Sequence, residues 1–346
     1  MTVSQYIKRK NLRNMSKDHL KNEYTEEKTI CEGPFYHITE DIDGPALERI
    51  DDEFVRADAL SIQNAEKHRK ILLALSYASA LLAISFLLYD EAEMYGLIIA
   101  CGIMLIALFG LSRISGKLEC HRKYVEYRVL AESLRLQFYL RYAGVKESVT
   151  SMLPWSIRTE LPWIAEIIDE TVTEADALTD KAELEGTPHP ISEIWVADQL
   201  AYHKRALDKT KKKDKTNDII VRTVFLITIV AYLFALGFEI KEMINPMTTA
   251  VGASVDTANV YRTILKIVLG SLAAITIFTG GYYGKLSLDN VIEDHARMIG
   301  LYTYAQDEIK RCGETPEIIM SLAREFISEN STWYAYQSKN APEASI

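Results

Sequence analysis

The chain has 346 residues, a net charge of −9 and a mean hydropathy near zero. The acidic balance argues against a general nucleic-acid binder, whose footprint is a basic surface, and leaves room for local basic patches. The four cysteines (Cys31, Cys101, Cys120, Cys312) are scattered with no CxxC pair, which argues against a disulfide framework and fits a reducing compartment.

Residues 1–45 are polar, contain Gly33-Pro34 and Gly44-Pro45, and read as a short basic helix followed by a loosely ordered arm. The opening MTVSQYIKRKNLRN lacks the apolar stretch of a cleavable signal peptide. A helical pattern begins at Ala46 and runs through Phe54, Ala57, Leu60, Ile62 and Ala65 to the basic cluster Lys67-His68-Arg69-Lys70.

Two uncharged runs follow, 71–89 and 94–112, joined by the acidic link Asp90-Glu91-Ala92-Glu93. Each run has about the 20 apolar residues that a bilayer-spanning helix needs, and so short a link makes the pair an antiparallel transmembrane hairpin. Small residues recur at four-residue and longer spacings: Ala74 and Ala78 in the first run, Gly102 and Gly110 in the second. Small residues let helix backbones approach closely in lipid, either within one hairpin or between subunits.

Arg113, Lys117, His121, Arg122 and Lys123 mark a return to the side of the first basic cluster. From Lys123 to Tyr142 the helix continues outward from the second span, with Leu130, Leu134 and Phe138 forming a stripe and Gly144 ending it. Residues 145–190 form an acidic connector. From Glu160 through Asp198 there are eleven acidic residues and one basic residue, Lys181. That stretch reads as a solvated helix face, or as a cation-concentrating vestibule or a landing face for a basic partner.

Ser192 is the expected N-cap of the next helix. Lys209, Lys211, Lys212, Lys213 and Lys215 stand just before a third span at about 219–240; they read as a topology anchor that meets anionic headgroups. A loop carrying Asn245-Pro246 and Gly252 leads to a fourth span at about 263–284. Arg222 and Lys266 lie within about one turn of a span end, where a basic side chain either snorkels to the headgroups or lines an aqueous path. Gly280 and Gly284 form a small-xxx-small pair, read as a close crossing or a hinge. The remainder is helical, with Thr315-Pro316 opening a last helix through Ile319, Leu322 and Phe326 that ends near Trp333.

The expected fold is therefore all-α: two antiparallel transmembrane hairpins extended by long cytoplasmic helices, with both termini cytoplasmic. Two units of helix, hairpin and helix are expected, 46–144 and 191–346. The first hairpin is preceded by Phe54-Val55-Arg56-Ala57-Asp58-Ala59-Leu60 and the second by Trp195-Val196-Ala197-Asp198-Gln199-Leu200, which hints at an internal duplication. No catalytic signature is present: Gly280-Gly281-Tyr282-Tyr283-Gly284-Lys285 has the wrong spacing for a phosphate-binding loop, there is no HExxH, and the seven histidines are dispersed. An enzyme, a cofactor and a metal are not expected.

Four stretches, in this order, carry a resemblance: Arg56-Ala57-Asp58-Ala59-Leu60; Tyr127 through Arg135; Trp195 through His203; and the closing Glu325, Glu329, Asn330 and Trp333. Together they resemble the SLATT family, the two-transmembrane effector domain associated with SMODS and SLOG domains, over roughly residues 50–340. The resemblance implies a homo-oligomeric pore-forming effector of bacterial anti-phage conflict systems that breaches the inner membrane when a cytoplasmic sensor reports infection. Relatives often carry an N-terminal nucleotide-sensing domain, for which about 50 residues are too few, so the implied sensor is a separate protein. The alternative is a non-conducting adaptor that holds a soluble defence complex at the membrane.

Overall fold

A computed structural model describes residues 19–31, 35–39, 42, 44–92, 94–178, 190–244, 252–286 and 288–339. Among them there is no strand, and four helices are long and apolar enough to cross a membrane. The protein is an all-α membrane protein of multi-pass type. The chain is divided not into two sequential halves but into two interleaved units. The first draws on Met1–Lys67, Glu119–Lys204 and Arg297–Pro342; the second draws on His68–Leu118, Arg205–Ala296 and Glu343–Ile346.

The first unit is built round α4 (Cys120–Tyr142), which is enclosed on all sides. Every residue from Val125 to Leu140 except Arg128 and Arg135 is buried. The expected stripe of Leu130, Leu134 and Phe138 is fully buried, but burial extends far beyond it because other helices cover the remaining faces. The helix ends in a Schellman motif: Gly144 at φ 73 lets its own N–H reach the Arg141 carbonyl (3.0 Å) and the Val145 N–H reach Leu140 (2.8 Å).

Against α4 pack α5 (Val149–Met152), α7 (Pro162–Leu178) and α11 (Pro316–Lys339), with α6 (Trp155–Glu160) against α7. Helix α7 starts at a proline, which needs no N–H donor there, and buries Trp163, Ile164, Ile167, Ile168, Thr171, Val172 and Ala175 at three- and four-residue steps. Buried Gln137 accepts from the Val149 N–H (2.8 Å) and so ties α5 to α4. Helix α11 runs on to Lys339, past the expected end at Trp333.

The polar arm is partly a core element. Residues 19–29 form α1, whose Tyr24 is fully buried between Tyr127 (5.4 Å) and Trp163 (5.6 Å). Tyr24 donates to Glu53 (2.8 Å), so the one polar atom of a buried ring is satisfied. The expected basic helix at the start of the chain lies outside the described residues.

The second unit holds the spans. Helix α2 (Pro45–Glu91) begins in the first unit and carries span 1 in its second half. Helix α3 (Leu97–Leu118) follows a turn in which the Leu97 N–H donates to Met94 (2.9 Å). Span 2 therefore starts at Leu97, not Met94. It does not continue unbroken into α4: Glu119 takes the left-handed conformation (φ 47, ψ 31), separating the two helices where the unit boundary falls. Helices α8 (Asp198–Ile244) and α9 (Gly252–Leu286) carry spans 3 and 4, and Phe238 meets Tyr261 at 5.9 Å where the two face each other. Helix α10 (Leu288–Cys312) follows.

Candidate functional site

The stretches that carry the family resemblance converge on α4. Asp58 on α2 accepts from Arg128 (2.8 Å), and Arg128 and Arg135 both pair with Glu132 on their own helix face. Burial pushes the Glu132 carboxyl up, but the guanidiniums of Arg128 and Arg135 outweigh it and hold the group below the usual carboxylate range. Two arginines thus occupy the only two positions on α4 between Val125 and Leu140 that are not buried; they flank the buried Glu132, and Arg128 bridges to α2.

The third stretch enters through Trp195. Its ring stacks on Tyr139 (5.0 Å, 14°), and its Nε1 donates to the Tyr302 hydroxyl (3.3 Å) on α10. The Tyr302 ring stacks on His203 at 5.9 Å. Burial pushes the Tyr139 hydroxyl up to about 12 and that of Tyr302 well up. From the fourth stretch, Trp333 meets Tyr124 edge-on (5.9 Å) and Glu329 accepts from Arg297 (2.9 Å).

Trp195 sits in a π-helical turn, Ser192–Ala197, that leads into α8. Ser192 does not cap this helix. The Glu314 carboxylate does, accepting from the N–H groups of Ile191 (2.7 Å) and Ser192 (3.1 Å). A carboxylate at a helix start satisfies orphan donors and opposes the helix dipole. Gly313, at φ 80, makes the turn after α10 that brings Glu314 there.

A second charged layer joins α1 to α4. Lys123 pairs with Glu23 (2.7 Å) and Glu27 (2.6 Å), Tyr127 donates to Glu27 (2.9 Å), and Arg122 reaches Glu119, Glu126 (3.2 Å) and Glu23 (3.3 Å). Burial pushes the Glu126 carboxyl up to about 7 despite Arg122. Arg122 and Lys123, expected as markers of the membrane surface, are thus engaged by carboxylates of α1. The acidic connector is likewise engaged within the unit: Glu166 and Glu170 bind Lys21, Glu174 binds Arg49, and Asp176 binds Arg141. That removes much of the landing face expected there.

In the second unit, Arg222 is exposed and bonded to Asp218 one turn back (2.7 Å). Lys266 reaches Glu91 at the end of span 1 (3.0 Å). The sequence order hid this pair, although both residues stand at span ends on the side of the acidic link. A Cβ added at Gly102, Gly110, Gly280 or Gly284 would meet no atom within 4 Å, so within one chain none of them marks a close crossing. Ala74 is exposed and Ala78 half-buried. The close approach is at Gly270, where a Cβ would meet the Leu87 side chain at 2.6 Å; spans 1 and 4 touch there. Its signal in the sequence is a lone glycine in the run Ile267–Leu272. Lys209, Lys211, Lys212, Lys213 and Lys215 are all exposed.

Among the described residues, no group of three or more His, Cys, Asp or Glu side chains is arranged to hold a metal ion. Burial raises the Cys31 and Cys120 thiols, which disfavours the reactive thiolate. Comparison with protein-family models, with curated proteins and with solved structures finds no match to this chain.

Proposed function

We propose that this chain is a pore-forming effector of a bacterial anti-phage defence system, a member of the SLATT group that acts as a homo-oligomer in the inner membrane. A separate cytoplasmic sensor or defence protein sets it off. The observation that carries this reading is the continuity of α2 and α8. Each is a single helix of 47 residues whose first part belongs to the charged, aromatic unit and whose last part is an apolar span. The stretches that resemble the family gather on α4 beside the first parts of these two helices. A partner that prefers one arrangement of that unit would bias the spans through them. Four spans are too few to enclose a wide path, so several copies would surround it.

The orientation follows from charge. Arg69, Lys70, Arg113, Lys117 and the lysines of 209–215 lie at one end of the spans, and Asp90 and Glu91 lie at the other. Basic residues flanking spans are retained on the cytoplasmic side, which supports an orientation with both chain termini inside.

One observation favours the second reading, a non-conducting adaptor: Arg222 and Lys266, the basic residues expected to line a path, are each ion-paired. Membrane potential decides between the two. It should be recorded in bacteria expressing the chain alone and then with its neighbouring gene products under phage challenge. Depolarisation that appears with the trigger supports the pore; protection of infected cells at an intact potential supports the adaptor. On the pore reading, Arg222→Gln and Lys266→Gln change ion selectivity only if those pairs open in the conducting state.

A further inference from the structure

Lys209, Lys211, Lys212, Lys213 and Lys215 occupy less than two turns of α8 and end four residues before Ile219, the exposed first residue of span 3. At the helical rise per residue they lie roughly 6–15 Å along the axis from that point, within reach of a headgroup layer for a side chain of lysine's length. Successive residues turn by about 100° on a helix, so these ammonium groups point round α8 and not along one face. Among the described residues, all five side chains are exposed.

The five lysines also differ from four others in the chain. Lys21, Lys28, Lys123 and Lys266 each hold a glutamate. Among the described residues, none of the five is ion-paired, although Asp208 and Asp214 stand in the same stretch. The nearest further acid, Asp218, is taken by Arg222. Arg69, Arg113 and Lys117, on α2 and α3, belong to the same end of this unit, and the Arg113 guanidinium lies over the Phe109 ring at 5.1 Å, where polar and apolar side chains meet.

We propose that the lysine ring of α8 is a binding site for the phosphates of anionic phospholipids, and that it selects such lipids around the start of span 3. Unpaired, strongly hydrated ammonium groups beside a span complement a phosphate-rich leaflet surface, each adding to the attraction. The site rests on the multi-pass reading of the chain and is independent of whether the spans conduct, so failure of the pore reading leaves it standing.

The test uses the full chain in detergent micelles, titrated with phosphatidylglycerol or phosphatidylcholine and read by lipid retention in native mass spectrometry. The wild type should retain the anionic lipid about tenfold better, as a few such charges allow, and lose the preference as salt shortens the screening length. Replacing all five lysines with glutamine should abolish the preference, and five arginines should restore it. The control K146Q/K310Q, which removes two exposed lysines of the other unit, should leave it intact. Unfolding of the glutamine variant is monitored by circular dichroism, and the arginine variant keeps the test open if that variant fails. Equal retention of the two lipids overturns the proposal, as does a preference that survives the glutamine substitutions. Inorganic phosphate or single-stranded DNA competing as well as the lipid would reassign the lysines to a soluble anion.

Discussion

In the first unit Phe138, Leu134 and Trp163 are buried, and most of the charged and hydroxyl groups enclosed with them are matched, Tyr24 to Glu53 and Arg128 to Asp58 and Glu132, while the Trp163 Nε1 has no partner among the described residues. In the second unit Phe234, Val230 and Ile106 are 72%, 66% and 75% exposed. The apolar side chains it encloses among the described residues include Leu72, Leu75, Cys101, Leu108 and Ala274. The difference reflects two solvents. In water, apolar surface is driven inward and each buried charge must be given a partner. In lipid, apolar surface is already solvated, so the spans can show theirs, and only the backbone must be satisfied internally. Charges accordingly appear in the second unit at span ends, and in the first as a layer through the core.

The comparison can be broken most directly at Arg128. Arg128→Ala leaves Glu132 and Asp58 without their shared cation and should cost about 4 kcal/mol of stability, measured by chemical denaturation of the purified protein. A loss below about 1 kcal/mol, the range of a surface pair, would mean that the charged layer is not part of the core.

Glu126 gives the next largest effect. Its folded carboxyl titrates near 7, above the usual carboxylate range, so the folded state binds the proton more tightly than the unfolded state does. Its contribution to stability is therefore fully present below the unfolded value and is lost as pH rises through about 7. Glu126→Gln keeps the uncharged form and should gain stability relative to wild type on going from pH 5 to pH 8, by about 2 kcal/mol. The groups facing Glu126 are Arg122, Glu119, Glu23 and Tyr334. A difference that does not change with pH would remove Glu126 from the set of costly buried charges.

The second unit is sharpened at its one identified close crossing. Gly270→Leu forces Leu87 out of its place and should destabilise the packing of spans 1 and 4 by about 1–2 kcal/mol. Gly280→Leu should leave the thermal stability of the single chain unchanged, because a Cβ there meets no atom of the described residues within 4 Å. Equal effects of the two substitutions would show that Gly280 packs against a second copy. Glu314→Ala removes the carboxylate cap of the π-helical turn and should cost about 1 kcal/mol, with faster amide exchange at Ile191 and Ser192. The smallest effect is expected at Lys266→Gln. Both partners of that pair are accessible, and its loss should cost about 0.5 kcal/mol or less.

Much of this architecture was legible in the chain because it depends on composition within a single segment. Four apolar runs of sufficient length announce four spans, and the buried positions of α7 and the core of α11 follow three- and four-residue steps that a periodic reading finds. The candidate sites were less legible. Arg122 and Lys123 stand next to a span and read as surface markers; α1, nearly a hundred residues earlier, claims them. Ser192 has the side chain of an N-cap, yet Glu314 takes the role. Gly102 and Gly280 have the spacing of packing motifs, but the crossing is at Gly270, because helix rotation decides which glycine faces a neighbour.

By itself, then, the sequence determined the all-α class, the number and approximate limits of the spans, and the polarity of the charges at their ends. The length and hydropathy of one helix set its solvent without reference to any other helix. Tertiary structure alone decided which acids meet which bases, that α1 and α4 share one core, and which residue caps the turn before α8. Those choices depend on distances between residues as far apart in the chain as Asp58 and Arg128, Lys266 and Glu91, or Ile191 and Glu314. A hydrogen bond or ion pair acts over a few ångströms in space, and periodicity along the chain carries no record of that proximity.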